Sequence, residues 1–434
     1  MRLLILGSGG REHAIAWKAS KSSQLGELFI APGNAGTAEV GTNVDLDIND
    51  FKSIAAFALE NKIEVIVVGP EDPLVNGIHD YFDTREDLNG VTIIGPHKEA
   101  AQLEGSKDFS KLFMKRHNIP TAKYATFTKD RIKDGYGYLE LMNPPYVLKA
   151  DGLAGGKGVV IVDDLAVAKK ELKEMLTTSK FGKAGKKVVI EQFLTGDEVS
   201  VFVITDGTAY KILPEAKDYK RIGEGDQGLN TGGMGAVSPV PYANREFMDK
   251  VDNQVIIPTL KGLKKEGIHY SGFLFFGLIN VKSDPYVIEY NCRMGDPETE
   301  VVMPRIKSDI LELFDGIATG TLSERDVEID PRSVATVMMV SGGYPEAYEK
   351  GKTINGLADV EGSVVFHAGT KLDEEGEVIT NGGRVVAVTS YGKSVEKALI
   401  QSYSQVEKIS FDKHNFRKDI GYDVVMKNKA AKKK

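Results

Sequence analysis

Two segments carry most of the chemistry that residue type and spacing can suggest. Residues 149–158 read KADGLAGGKG. An apolar strand ends in Lys149, and Gly152, Gly155, Gly156 and Gly158 then surround Lys157. Backbone amides and two ammonium groups can therefore converge on a polyphosphate. The spacing is not that of a Walker loop, and Gly158 stands where a metal-binding Ser or Thr would belong. A glycine-rich lid between two strands describes it better; a solvated surface hairpin is the alternative. Residues 287–298 read VIEYNCRMGDPE. In an extended chain the period of two puts Glu289, Asn291 and Arg293 on one face, with Ile288, Tyr290 and Cys292 on the other. The first face offers two oxygen ligands and a cation. Mg²⁺ takes few protein oxygens beside substrate phosphates, so Glu289 and Asn291 could hold metal while Arg293 grips a phosphoryl group. The alternative is a surface ion-pair stripe, and Cys292 reads as a small core residue.

Four further segments suggest ligands. Residues 7–14, GSGGREHA, follow a strand and open a helix, so the amides of Gly9 and Gly10 suit an anion, or form only a tight turn. Glu12 occupies the place of a dinucleotide fingerprint's third glycine, which favours a phosphate monoester over a dinucleotide. Residues 69–74, GPEDPL, put Glu71 and Asp72 at the end of a strand, suited to hydroxyls, an amine or a helix cap. Residues 230–236, NTGGMGA, cluster the amides of Gly232, Gly233, Met234 and Gly235 as a candidate anion loop. Residues 188–194 read as a strand leading into a polar turn and then Gly196, Asp197 and Glu198. Such a strand edge could read adenine through its backbone, with a carboxylate a few residues on for ribose hydroxyls; an ordinary edge strand is the alternative. The seven histidines form no HExxH or similar cluster and no GxSxG elbow occurs, which argues against zinc chemistry and hydrolytic triads.

The elements that must position these residues begin with β-branched runs at 3–6, 27–30, 64–68 and 91–94, alternating with helical patterns: a parallel α/β sheet. From 146 to 291 strands dominate, with helical patterns at 165–176 and 246–266, as in an α+β region. A third block starts near Pro331, and residues 427–434 read as a frayed, solvated tail. The 434 residues call for two to three domains of about 100 to 200 residues each. A formal charge of -7 gives no general attraction to nucleic acid or membrane. One cysteine permits no intrachain disulfide, and no apolar run approaches the roughly 20 residues of a spanning helix. The expected compartment is the cytoplasm.

Taken in order, GSGGREHA, residues 31–37 (APGNAGT), GPEDPL, residues 104–107 (EGSK), residues 149–158, NTGGMGA, residues 291–298 (NCRMGDPE), residues 367–370 (HAGT) and residues 381–385 (NGGRV) resemble the glycinamide ribonucleotide synthetase family over nearly the whole chain. The resemblance implies an N-terminal parallel-sheet (pre-ATP-grasp) domain at 1–104 and an ATP-grasp domain at 105–328, with a mobile lid subdomain at 123–192. A small C-terminal domain with a basic tail at 329–434 completes it. It implies that ATP activates glycine as glycyl phosphate and that 5-phosphoribosylamine then displaces phosphate, with Mg²⁺ or Mn²⁺ as cofactor. Lys107, Lys149, Gly155, Gly156, Lys157 and Gly158 would bind ATP phosphates, Glu191 and Phe193 adenine, and Glu198 ribose. Glu289 and Asn291 would bind metal; Arg293, Lys149 and Asp296 would be catalytic. Gly9, Gly10, Glu71, Asp72 and residues 232–235 would face substrate, and transient contact with neighbouring purine-pathway enzymes is left open. Two departures are Tyr219, where histidine is common, which puts a proton-transfer role there in doubt, and Leu229, where proline is common.

Overall fold

The computed structural model describes residues 1–153, 158–178 and 185–431. Strands β1 (Arg2–Gly7), β2 (Glu27–Pro32), β3 (Thr42–Asn43), β4 (Val65–Val68) and β5 (Thr92–Ile94) form a parallel sheet in the order β3-β2-β1-β4-β5. Leu3, Leu4, Ile5, Leu6, Ile66 and Val67 are fully buried, as expected of parallel strands covered on both faces. The strand order reverses between β1 and β4, so the loops after Gly7 and Val68 open side by side into the crevice where such sheets bind ligands.

The expected lid is a separate layer. Strands β6 (Tyr124–Thr128), β7 (Tyr146–Ala150), β8 (Val159–Val162) and β9 (Lys187–Gln192) form an antiparallel sheet in the order β6-β9-β7-β8, backed by helices Ile132–Glu140 and Leu165–Thr177. Phe127, Leu139, Leu148, Leu172 and Met175 give it a hydrophobic cluster of its own, apart from the main core. A layer with its own core can move as a body. One expectation fails here. The strand around Glu191 is not an edge, because β9 pairs with β6 on one side and β7 on the other, and both sets of its ladder groups are used.

Facing the lid, β10 (Asp197–Thr205), β11 (Tyr210–Ile212), β16 (Gly272–Val281) and β17 (Asp284–Asn291) form a second antiparallel sheet, ordered β11-β10-β16-β17. A third contains β12 (Lys217–Asp218), β15 (Gly235–Ser238), β18 (Ser333–Val340), β19 (Val364–His367) and β22 (Arg384–Gly392) in the order β12-β15-β18-β22-β19. The main sheet of the C-terminal block is therefore shared, since two strands from the middle of the chain complete it. The hairpin of β20 (Thr370–Leu372) and β21 (Val378–Thr380) lies wholly within that block, and a second hairpin, β13 (Arg221–Gly223) with β14 (Gln227–Asn230), lies before it. Residues 427–431 are not frayed: they belong to the helix Tyr422–Ala431, where Lys427 pairs with Asp197 and Lys429 with Glu396 at 2.8 Å. No helix among the described residues is long and apolar enough to cross a membrane.

Candidate active site

Between the lid and the β17 sheet lies a cleft lined with buried charge. Lys149 on β7 and Lys111 on the helix Lys107–Arg116 both place their ammonium groups 3.0 Å from one oxygen of Glu191 on β9. Burial would push the Glu191 carboxyl up, but the two lysines hold it below the ordinary range. Burial pushes Lys111 down to about 8, against the pull of Glu191. Lys149 also donates to the Ile288 carbonyl of β17 at 3.4 Å, joining lid and floor. The side chain of Glu191 is thus an anchor for two cations, and only the backbone leaving β9 toward Phe193, which is 39% exposed, is free to meet a base.

Lys107 begins the helix capped by Ser106 and donates to the Gly152 carbonyl at 3.1 Å; burial lowers its pKa. Asp151 accepts from the Ser106 hydroxyl at 3.0 Å and the Asp108 amide at 2.7 Å, which ties the end of β7 to that helix. Gly158 accepts from Ala150 at 2.8 Å and closes the hairpin. Gly155, Gly156 and Lys157 lie outside the described residues.

The floor carries the expected alternation from Glu289 to Arg293 but not at Ile288, which the register irregularity leaves unpaired and half-buried while Val287 takes the core position. Tyr290 turns into the core to meet the Thr259 hydroxyl at 2.9 Å, and Cys292 is buried with its sulfur 3.6 Å from the Ala100 carbonyl. Glu289, Asn291 and Arg293 take the other face. A register irregularity after Gly277 aligns Glu289 with that glycine, whose missing Cβ would lie 3.0 Å from Glu289 Cγ. Burial acts to raise the Glu289 carboxyl, but Lys220, Lys149, Lys107 and Arg293 together hold it down and therefore ionised. The amide nitrogen of buried Asn291 has no hydrogen-bond partner, so the protein leaves this group free to turn an oxygen toward the cleft. One ionised carboxylate and one unengaged amide fit a hard divalent cation that keeps most of its ligands from phosphate and water. Lys220 stands 3.9 Å from each of Glu198, Asp218 and Glu289, linking the expected ribose and metal residues.

Arg293 is held at three points: Nη2 lies 2.7 Å from Glu104, Nε 3.3 Å from Glu71, and Nη1 donates to the Met294 carbonyl at 3.1 Å. Glu104, pushed up to about 7 by burial against the pull of Arg293, also accepts from the Cys292 amide at 2.7 Å. Glu71 is therefore an anchor for Arg293, while its neighbour Asp72 is exposed. Three residues further on, Asp296 turns into a cavity of about 610 Å³ at the switch point of the parallel sheet, lined by Ser8, Gly9, Asn34, Thr370 and Arg384. Glu12 accepts from the Gly9 amide at 2.6 Å and fills the space between the two loops: a Cβ on Gly7, whose φ is +126°, or on Gly69 would overlap it. The Gly9 amide, expected to be available to an anion, is therefore engaged by Glu12. Arg384 pairs with Asp296 at 3.0 Å and donates to the Gly232 carbonyl at 2.7 Å. Glu300, packed against Gly10, is fully buried with neither oxygen hydrogen-bonded, and burial raises its pKa well above the ordinary value.

The expected anion loop at 230–236 differs from the reading of it. Gly232 donates to the Tyr344 hydroxyl, Gly233 to the Thr231 hydroxyl and Met234 to the Tyr219 carbonyl, so these amides are engaged within the protein. Gly235 is committed to β15, against β18. The loop instead buttresses Arg384. Tyr219 points away from the cleft, with its hydroxyl 2.6 Å from Asp423. Sequence reasoning missed Lys111, Glu104, Lys220, Glu300 and Arg384. Only Glu104 and Arg384 stood in motifs already singled out, EGSK and NGGRV.

A lid sheet closing on a floor strand that presents carboxylate, amide and guanidinium defines an ATP-grasp ligase. The same fold recurs in the biotin carboxylase domain of Hydrogenobacter thermophilus 2-oxoglutarate carboxylase, at TM-score 0.71 and 18% identity over 95% of this chain and 90% of that one. More narrowly, the chain belongs to the phosphoribosylglycinamide synthetase family: its residues match that family's N domain (1–104), ATP-grasp (A) domain (105–299) and C domain (334–423). It is 46% identical over 430 residues to phosphoribosylamine–glycine ligase of Vibrio parahaemolyticus, covering 98% of this chain and 99% of the relative. The crystal structure of phosphoribosylamine–glycine ligase from Thermotoga maritima superposes at TM-score 0.84, with 36% identity, covering 96% of this chain and all of that one.

Proposed function

We propose that the protein joins glycine to 5-phosphoribosylamine at the expense of ATP, giving glycinamide ribonucleotide, ADP and phosphate in purine biosynthesis. A glycine carboxylate oxygen attacks the γ-phosphorus and ADP leaves; the amine nitrogen then attacks the acyl carbon, phosphate leaves and the nitrogen loses a proton. One observation carries the reading. Asp296, three residues along the chain from Arg293, lines the switch-point cavity of about 610 Å³, which supports passage of an acyl phosphate made beside Arg293 to a chamber with room for a sugar phosphate.

In this reading Lys107 and Lys149 hold phosphates, and Gly155, Gly156, Lys157 and Gly158 close over them. The backbone beyond Glu191 and Phe193 meets adenine, and Glu198 the ribose. Glu289 and Asn291 would hold Mg²⁺ or Mn²⁺, which when bound neutralises phosphate charge and orients the transferred group. Arg293, fixed by Glu71 and Glu104, presents positive charge to the phosphoryl group as it moves. Gly9 and Asp296, which line the cavity, face the phosphoribosylamine, with Asp296 as the carboxylate available to take the amine proton and Arg384 holding it in place. The lid excludes water, which protects an acyl phosphate from hydrolysis. The single buried cysteine suits a reducing cytoplasm.

The test is ADP formation from ATP and Mg²⁺ with each substrate omitted in turn, the phosphoribosylamine being generated in the assay. Turnover should require glycine and phosphoribosylamine together. Equal turnover with another amine or another carboxylate would assign the protein to a sibling ligase instead.

A further inference from the structure

Where the end of β5 meets the start of β16, side chains from three separate segments converge. His79 and Asp83 stand one turn apart on the helix Ile78–Asp83, His97 precedes the helix Lys98–Gly105, and His269 leads into β16. The rings of His79 and His97 stack with centroids 3.8 Å apart and planes 23° from parallel, and the His269 ring lies 6.0 Å from that of His97. His97 Nε2 is 2.7 Å from one oxygen of Asp83, and His79 Nε2 is 3.8 Å from the other. Ligand atoms of His79, Asp83 and His97 lie within 4.8 Å of one another, the only such group among the described residues.

Two features set this cluster apart from an ordinary surface ion pair. His79 Nδ1 is 2.6 Å from the Gly95 carbonyl, which can only accept, so the proton sits on Nδ1 and the Nε2 lone pair faces Asp83. A backbone carbonyl fixing the tautomer is the arrangement that outer-shell partners give metal-bound histidine. Nδ1 of His97 is buried and meets no protein partner, although buried polar atoms are nearly always satisfied.

We propose that His79, Asp83 and His97, with His269 available as a fourth ligand, bind a late first-row divalent cation of the Zn²⁺ type. Imidazole and carboxylate suit such ions, and Zn–N bonds of about 2.0–2.1 Å at tetrahedral angles separate ligand atoms by about 3.4 Å. Side-chain rotation closes the present spread, because Asp83 is exposed and His97 partly so. Neither Glu289 nor Asn291 is among these ligands, so the two sites share no ligand residue. The Ser271 hydroxyl lies 3.5 Å from the Gly95 carbonyl, and Gly272 packs on the Gly95 backbone, so a cation here would fasten the end of β5 to the start of β16.

The test uses the untagged full chain, stripped with chelator and kept in excess MgCl₂ so that the oxygen-lined cleft cannot report. Zn²⁺ is titrated against a chromogenic chelator, and Co²⁺ is followed by visible absorption. The expected result is one Zn²⁺ per chain and ligand-field bands from Co²⁺. Both should weaken at least tenfold in His79→Gln, His97→Gln and Asp83→Asn, with ligase turnover retained. Asp83→Asn alters a side chain that is 57% exposed, so the fold tolerates it. Absence of cobalt bands in the wild type, or unchanged Zn²⁺ affinity in Asp83→Asn and His97→Gln, would overturn the proposal.

Discussion

Replacing Arg293 by lysine separates charge from direction. The guanidinium spends three nitrogens on three partners: Glu104 at 2.7 Å, Glu71 at 3.3 Å and the Met294 carbonyl at 3.1 Å. Lysine keeps a positive charge between the two carboxylates, so it avoids the uncompensated buried charge that costs about 3–5 kcal/mol. One ammonium cannot hold three directions, so two charge-assisted bonds of about 1.5–3 kcal/mol each weaken. The cation then no longer points where charge develops, and losing one such preorganised donor costs about 10² to 10³ in kcat, or about 2.7–4 kcal/mol. Arg293→Lys should therefore lower kcat by that factor in an assay coupled to ADP release. Its ATP dissociation constant, from calorimetry, should move by less than about threefold, or about 0.7 kcal/mol. A thermal melt confirms folding. A kcat within threefold of wild type, or ATP affinity falling in step with kcat, would refute the reasoning.

Other expectations follow from the same geometry. Glu289→Gln keeps shape and removes charge, and should raise the Mg²⁺ needed for half-maximal turnover at least tenfold, about 1.4 kcal/mol; an unchanged Mg²⁺ dependence would move the metal elsewhere. Tyr219→Phe breaks the bond to Asp423 and should cost about 1–3 kcal/mol of stability with kcat intact; a tenfold loss of kcat would place Tyr219 in proton transfer after all. Burial lowers His13 to about 3, helped by His367, and lowers His367 to about 4. Unfolded histidine titrates near 6.5, so the unfolded chain binds protons that the folded chain refuses. This contribution is full above about pH 6.5 and is lost as pH falls toward 4, by up to about 1.4 kcal/mol per pH unit for each histidine. Trp17, the single tryptophan, stacks edge-on to Phe366 at 5.5 Å and reports this contact. Its urea midpoint should fall between pH 7 and pH 5 more in wild type than in His13→Gln, and parallel pH profiles would count against the linkage.

Much of the site was legible because its parts are local. The alternation from Glu289 to Arg293 needs only a strand, and the two loops of the parallel sheet need only β-branched runs ending in glycine. What was not legible depends on partners distant in sequence. Nothing near Lys111 shows that it will share Glu191 with Lys149, and nothing near Glu104 shows that it will clamp Arg293. The strand through Glu191 looked like an edge because its pairing with β6 and β7 depends on chain order in the lid. The amides of 232–234 looked free because their acceptors, Tyr344 and Tyr219 among them, come from elsewhere. For the histidine cluster a weak signal did exist, since His79 and Asp83 stand four residues apart on a helix, but His97 joins them only through stacking.

Glycine labelled with ¹⁸O in its carboxylate tests the central claim most directly. Attack by that oxygen on the γ-phosphorus, followed by displacement at the acyl carbon, leaves one labelled oxygen in each phosphate released. Mass spectrometry of the phosphate should show one ¹⁸O per turnover and none when phosphoribosylamine is withheld. Unlabelled phosphate formed at the full ligation rate would contradict the acyl phosphate route.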